Sequence, residues 1–418
     1  LELTLLAFRV DPAALQFDPF VSFSGQSRLF TETETAAGER VLATAESRLA
    51  WFNRQSFLRD KPPDAYRIFC LGGSTTYGHP YDDRTSFAGF LRAFLPEMDP
   101  SRQWEVINAG GISYASYRIE VLTRELAQYQ PDLFVIYTGH NEFLEDRTYS
   151  PIIDTPEPIR RAVGLARWSR TFSLAQRLLR GTPESPNRPT LPAEVDAILD
   201  RSVGPGAYHR DDRRREQVLA HFRSTLGRIV DVARDAGAEV VLVVPASNLR
   251  DCTPFKSEHR DGLTNEQLRE FRANLRAAEE AFQAVRAAEA LSRIDRATQI
   301  DPRYAAAQYL RGRVLIETGD TKAARQALVR AREEDVCPLR AFEAIQELVR
   351  DVAAEYRIPG IDFAALVDGE SADGIPGANW FLDHVHPTIE GNQRLAREVA
   401  NKLIEMNVLR PQASWTSE

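Results

Sequence analysis

Ser74 stands in Leu71-Gly72-Gly73-Ser74-Thr75-Thr76-Tyr77-Gly78, between an apolar run of strand length at 66–71 and a helical pattern that begins at Ser86. Glycines let the backbone turn sharply and approach a ligand. A helix start directs free N–H groups and partial positive charge at whatever binds there. A serine nucleophile in such a turn needs a base, an acid to orient the base, and donors for the oxyanion. The chain has histidines at 79, 140, 209, 221, 259, 384 and 386, and the last two lie in Asp383-His384-Val385-His386-Pro387. Asp383 and His386 are three residues apart in one loop, a spacing that lets the carboxylate reach the ring and fix its tautomer. The same residues admit two other arrangements: Asp383 capping a short turn with both histidines in water, or Asp383, His384 and His386 around a metal, which no further acidic or cysteine cluster supports. Asn141, in Gly139-His140-Asn141-Glu142, carries an amide that can donate to an oxyanion or can occupy a left-handed turn. The loop after residue 71 has neither GxxxxGK[ST] nor GxGxxG, which disfavours a phosphate cradle.

These residues need elements to carry them. Apolar runs of strand length fall at 66–71, 104–108, 133–138, 239–245 and 360–363; helical patterns fall at about 86–96, 115–129, 212–236, 340–356 and 388–406. Such alternation predicts a mostly parallel sheet with helices on both faces, and ligands bind such sheets at the carboxyl ends of the strands, near the switch in strand order. The first four runs end in Gly72-Gly73-Ser74, Asn108-Ala109-Gly110-Gly111-Ile112-Ser113, Gly139-His140-Asn141-Glu142 and Pro245-Ala246-Ser247-Asn248. All four place small and polar residues on one edge.

The division that follows is a wrapping segment at 1–65, read as irregular, a first part of the main domain at 66–261, a helical insertion at 262–338 and a second part at 339–418. A further insertion, 145–211, is punctuated by proline and carries a basic amphipathic stretch at 158–180. That stretch either lies on an anionic membrane surface or packs its apolar side on the domain with its arginines in water; its place after the third strand suits a lid. Within 262–338, Tyr309-Leu310-Arg311-Gly312 followed by Leu315, Gly319, Ala324, Leu328, Ala331 and Pro338 resembles one tetratricopeptide repeat, and 271–304 resembles a degenerate copy. One and a half repeats cannot bury a face alone. The insertion is therefore expected to pack on the main domain or on another chain, either as an arm for a protein partner or self-association, or as an elaboration with no separate role.

Composition narrows the classes. The 418 residues are 43% hydrophobic and 27% charged, ordinary for a globular protein, with a net charge of −8 that argues against nucleic acid as a partner. Cys70, Cys252 and Cys337 form no CxxC pair and no disulfide framework. Residues 1–8 are either the end of a membrane anchor, which implies a bacterial extracytoplasmic setting, or an ordinary first element, since they fall far short of the ~20 apolar residues a spanning helix needs.

The four blocks Gly72-Gly73-Ser74-Thr75, Asn108 to Ser113, Gly139 to Glu142 and Asp383 to Pro387 resemble, in their order, the blocks of the SGNH (GDSL-like) hydrolase superfamily. The resemblance implies a three-layer, flavodoxin-like, doubly wound parallel α/β sheet, here with an all-α insertion resembling tetratricopeptide repeats. It implies a serine-dependent acyl-ester hydrolase. Ser74 is then the nucleophile, His386 the base and Asp383 its orienter, with the N–H groups of Ser74 and Ser113 and the Asn141 amide around the oxyanion. No metal or organic cofactor is implied. The substrate is an ester-bearing small molecule, lipid or glycan, with Tyr77, His140, Glu142 and Asn248 flanking it and Phe143 in the pocket or the core. Three positions depart from the family pattern: Gly73 replaces an aspartate, Ser113 a glycine and Glu142 an aspartate. Two rivals share the same residues: an O-acyltransferase acting on a glycan, favoured if the site excludes water, and an interaction protein built on the repeat arm with a vestigial site.

Overall fold

The computed structural model describes residues 28–145 and 204–412, together with the two-residue strands Ser22–Phe23 and Thr190–Leu191, which pair in parallel. Residues 1–8, read as the end of an anchor or an ordinary first element, and the basic stretch at 158–180 lie outside the described residues.

The described chain opens with an antiparallel sheet of β1 (Phe30–Glu34), β2 (Arg40–Thr44) and β3 (Ser56–Leu58). The reading of this stretch as irregular is corrected here. Thr31, Glu32, Thr33 and Glu34 all face water, so β1 shows none of the apolar alternation that marks a strand. Its register is set instead by the tight turn in which Gly38, at φ 82°, donates to the Thr35 carbonyl. Phe30 alone is buried in β1, edge-on to Phe57 at 5.0 Å and to Tyr129 at 6.3 Å.

The alternation of strand and helix then begins. β4 (Ala65–Gly72) runs into the one-turn helix α1 (Ser74–Tyr77), followed by α2 (Phe87–Met98), β5 (Gln103–Gly110), α3 (Ser116–Leu126), β6 (Leu133–Tyr137), α4 (Asp212–Asp235) and β7 (Glu239–Val243). Four helices form the arm: α5 (Asn265–Gln283), α6 (Ala287–Ile300), α7 (Ala305–Thr318) and α8 (Thr321–Glu333). The chain returns through α9 (Glu343–Tyr356), β8 (Gly360–Ile361), α10 (Phe363–Glu370) and α11 (Ile389–Glu405).

The five long-range strands form one parallel sheet in the order β8–β7–β6–β4–β5. Counted along the sheet from β4, this is the doubly wound order 2-1-3-4-5 of the flavodoxin-like fold. The central strands are buried on both faces: Ile68, Phe69, Cys70 and Leu71 of β4 and all of β6 are closed to solvent, which is why both read as continuous apolar runs. The crossover from β4 to β5 goes one way across the sheet and the later ones go the other. Right-handed crossovers therefore place α2 on one face and α3, α4 and α9 on the other. α11 packs beside α2 and completes the third layer.

The arm is two antiparallel helix pairs, α5 with α6 and α7 with α8. A capping box starts α5, with Thr264 and Gln267 each bonding the other's backbone. A Cβ on Gly312 would lie 2.6 Å from Leu328 Cγ, so glycine is what lets α7 and α8 touch. Of the two expected supports, the structure shows the main domain: Leu315, Ala324, Ala327 and Leu328 of the arm share one apolar cluster with Leu249 and Ile375. Charge closes the other end, where Arg303 pairs with Asp212 and Glu334, Arg210 with Glu334 and Arg215 with Glu333.

One buried cation joins the antiparallel sheet to the parallel one. Arg67, 0% exposed, pairs through Nε with Glu105 at 2.6 Å and donates to the Tyr129 and Leu58 carbonyls. Removing it leaves Glu105 and two carbonyls unpartnered in the interior. Arg67→Ala is expected to lower unfolding free energy by about 3–5 kcal/mol, measured by urea denaturation of the full chain.

Candidate active site

The carboxyl ends of β4, β5, β6 and β7 converge with the loop before α11, as the topological switch between β4 and β6 requires. Ser74 is the first residue of α1, after Gly73 in extended conformation. Two glycines make this turn fit. A Cβ on Gly72 would lie 2.2 Å from the Tyr137 carbonyl, and one on Gly73 would lie 2.5 Å from Asn141 Nδ2. Gly73, the departure from the family's aspartate, thus lets the Asn141 amide close against the nucleophile turn.

The loop 381–387 is held by an antiparallel bridge between Phe381 and Pro387. Inside it, Asp383 Oδ1 accepts the N–H groups of Val385 and His386, each at 2.9 Å, and Asp383 Oδ2 lies 2.6 Å from His386 Nδ1. His386 Nε2 lies 2.7 Å from Ser74 Oγ. Burial pushes the Asp383 carboxyl up, but hydrogen bonds from the His386 ring and backbone and the charge on that ring outweigh it and hold the group well below the usual carboxylate range. It is therefore an acceptor at neutral pH, and Nδ1 carries the proton that meets it. Nε2 is left free to take a proton from Ser74.

Apart from Ser74, the residues expected to donate to an oxyanion lie in the loops after β5 and β6. Ser113 takes φ 63°, the left-handed region that favours glycine, which is the residue the family carries there. Among the described residues its N–H has no backbone acceptor. Asn141 Nδ2 donates to the Tyr114 carbonyl at 3.0 Å, tying the third strand's loop to the second's. The structure thus brings Ser74, Asp383, His386 and Asn141 together, with Ser113 in the adjoining turn.

Three of the four residues expected to flank a substrate, Glu142, His140 and Asn248, are buried and bonded to other parts of the chain. Glu142 is fully buried and accepts both the N–H and the hydroxyl of Ser116, at 2.9 and 2.7 Å; burial raises it to about 7. It fastens the start of α3. His140 is buried behind the site and accepts the Ala341 N–H through Nδ1 at 3.1 Å. Asn248 is buried too. Its Nδ2 donates to the Asp383 carbonyl at 3.0 Å and its N–H to the His384 carbonyl, so it supports the loop rather than a ligand. Tyr77 remains partly exposed on α1, and Phe143 is buried against Phe342. A buried side chain at a strand end looks the same in sequence as one that lines a cleft, and only the packing separates them.

The sequence reading left His79 unassigned. It is exposed, its ring 5.0 Å from the His386 ring. Burial, then the charge of His386, lowers its pKa. His384 rests edge-on against Phe255 at 5.1 Å and, through burial, falls to about 4.

Comparison with known proteins adds three findings. Residues 281–338 match the tetratricopeptide repeat family, so the arm carries that repeat. No curated protein sequence matches the chain. Among solved structures, an acetylxylan esterase from Geobacillus stearothermophilus is 11% identical with a TM-score of 0.36, over 83% of this chain and 96% of that one. A lipase/acylhydrolase from Enterococcus faecalis is 13% identical with a TM-score of 0.36, over 83% of this chain and 100% of that one. The fold rests on the strand order 2-1-3-4-5, not on these alignments. The chain resembles the SGNH hydrolases in that fold and in the order of its four blocks.

Burial, then the charges of His384 and His386, brings the His140 ring down to about 3. Unfolded, the ring titrates near about 6.5. Acid therefore favours the unfolded chain, and this residue's contribution to stability falls as pH drops from about 6.5 towards 3. His140→Gln keeps an acceptor for Ala341 and is expected to flatten that part of the stability-against-pH curve, measured by denaturation at stepped pH.

Proposed function

We propose that the chain is a serine-dependent acyl-ester hydrolase. The observation that carries this is the unbroken line from Asp383 through His386 to Ser74, with links of 2.6 and 2.7 Å. Ser74 Oγ attacks the ester carbonyl while its proton passes to His386 Nε2. The carbonyl oxygen becomes an oxyanion among the N–H groups of Ser74 and Ser113 and the Asn141 amide. His386 then gives the proton to the departing alkoxide, which leaves an acyl-Ser74 ester. A water, deprotonated by the same ring, releases the acid and restores the serine.

The geometry supports this better than the binding-protein reading, since a vestigial site has no need of an oriented histidine. Transfer to a glycan hydroxyl uses the same first half-reaction, with the hydroxyl in place of water, and the acceptor decides between them. The arm supports a second role in protein binding, as tetratricopeptide repeats commonly present a face to a partner.

p-Nitrophenol release from p-nitrophenyl acetate and longer esters tests the proposal. Wild type is expected to turn over and Ser74→Ala to lose activity by about 10⁴-fold or more, with the chain-length profile reporting the depth of the acyl pocket. Turnover that rises with an added sugar alcohol, with the acyl group recovered on the sugar, would replace hydrolysis by transfer. A Ser74→Ala variant as active as wild type would sink both.

A further inference from the structure

Residues 48–55 lie ahead of every block that carries the chemistry, and nothing in their sequence marks them as functional. In the structure they grip both the Ser74 turn and the turn at 111–114 that bears Ser113. Phe52 pairs with Gly111 in an isolated antiparallel bridge, and the Trp51 carbonyl accepts the Ile112 N–H at 2.9 Å. The Phe52 ring meets the Tyr114 ring edge-on at 4.9 Å. The fit needs Gly111, on which a Cβ would lie 2.8 Å from Phe52 Cζ. Arg48 lies over Phe52, 5.0 Å from the ring centre, and donates to Tyr114 Oη at 2.5 Å. Both Phe52 and Arg48 are buried. Asn53 Nδ2 donates at 2.7 Å to the carbonyl of Tyr77, the last residue of α1. Gln55 Oε1 accepts the Asn108 N–H at 3.0 Å, near the end of β5.

The contacts of Trp51, Phe52 and Arg48 converge on one short turn. Its backbone carries Ser113 at φ 63°, and its Tyr114 carbonyl holds the Asn141 amide. A left-handed serine is held only where its surroundings over-determine it. We propose that residues 48–55, Phe52 and Arg48 above all, are a positioning element that sets two of the three oxyanion donors, the Ser113 N–H and the Asn141 amide, by seating the 111–114 turn. This rests on the acyl-transfer reading above. None of the segment's side chains touches the reacting atoms. Its effect falls on the transition state, where the oxyanion forms, and not on ground-state substrate binding.

The test compares wild type with Arg48→Met, Tyr114→Phe, the double variant and Phe52→Ala, all in the full chain. Three quantities are read: kcat and KM on a p-nitrophenyl ester, and the inhibition constant of an alkylboronic acid. Ser74 Oγ adds to the boron and its proton passes to His386, so the tetrahedral boronate places an oxygen where the oxyanion would be. Arg48→Met and Tyr114→Phe are each expected to lower kcat about tenfold, with KM changed less than twofold, because a displaced donor loses part of what a missing one loses. The boronate constant is expected to rise by the same factor. The double variant is expected to be no worse than either single one, since both remove one bond. Phe52→Ala is expected to cost about a hundredfold. Should it fail to melt cooperatively, the Arg48 and Tyr114 pair decides. Wild-type kcat and boronate affinity in that pair would overturn the proposal and leave the esterase reading standing, as would losses confined to KM. A wild-type chain that neither turns over ester nor binds boronate would remove the esterase reading, and this proposal with it.

Discussion

The Asp383 carboxylate is the constraint on which the site depends. It accepts two backbone N–H groups of its own loop and faces the His386 ring. The same group thus folds the loop 381–387 and fixes which nitrogen of His386 is protonated. A carboxylate satisfied in this way stays ionised at neutral pH, and in the proposed mechanism such a partner stabilises the imidazolium that forms when Ser74 loses its proton. The serine lies 312 positions earlier in the chain, so the whole sheet has to bring the two together. The sheet does so by reversing its strand order at β4, which leaves a crevice at the carboxyl ends.

Support reaches this loop from several directions. Asn248, after β7, holds it by the Asp383 carbonyl. Arg340, beyond the arm, holds the loop after β7 by the Asn248 carbonyl at 2.6 Å. Asp335, at the end of the arm, accepts the Phe255 and Lys256 N–H groups, and Phe255 rests on His384. The helical arm is thus inserted between β7 and α9 without breaking the sheet, yet it is joined by hydrogen bonds and apolar packing to the loop that carries the base.

Much of this was legible in the residues. The five strands and five helices of the main domain, α2, α3, α4, α9 and α11, appear where apolar runs and helical periodicity place them, because buried parallel strands must be continuously apolar and two-sided layers must alternate; the short helices α1 and α10 do not appear in that pattern. The pairing of Asp383 with His386 was legible because a carboxylate three residues before a histidine in one loop can reach the ring, and the structure has that contact, with Ser74 on the other ring nitrogen. What the sequence hid depends on contacts between distant segments. β1 faces water along most of its length, so no periodicity marks it. Glu142, His140 and Asn248 stand at strand ends, where sequence alone suggests a pocket, but packing buries all three and bonds them to Ser116, Ala341 and the 381–387 loop. The grip of Phe52 and Arg48 on Tyr114 could not be read either, since it joins residues with no motif across two turns. Gly111 was the one signal, a glycine next to Gly110 at the end of β5, and its purpose is visible only once a ring lies against it.

The most direct measurement of the account is mass spectrometry of the full chain, quenched in acid during turnover of a slowly deacylated p-nitrophenyl ester and then digested. The account predicts one acyl group on the peptide containing Ser74, formed in step with the burst of p-nitrophenol and absent from Ser74→Ala. An acyl group on another residue, or steady release of p-nitrophenol with Ser74 unmodified in a chain shown to acylate elsewhere, would contradict it.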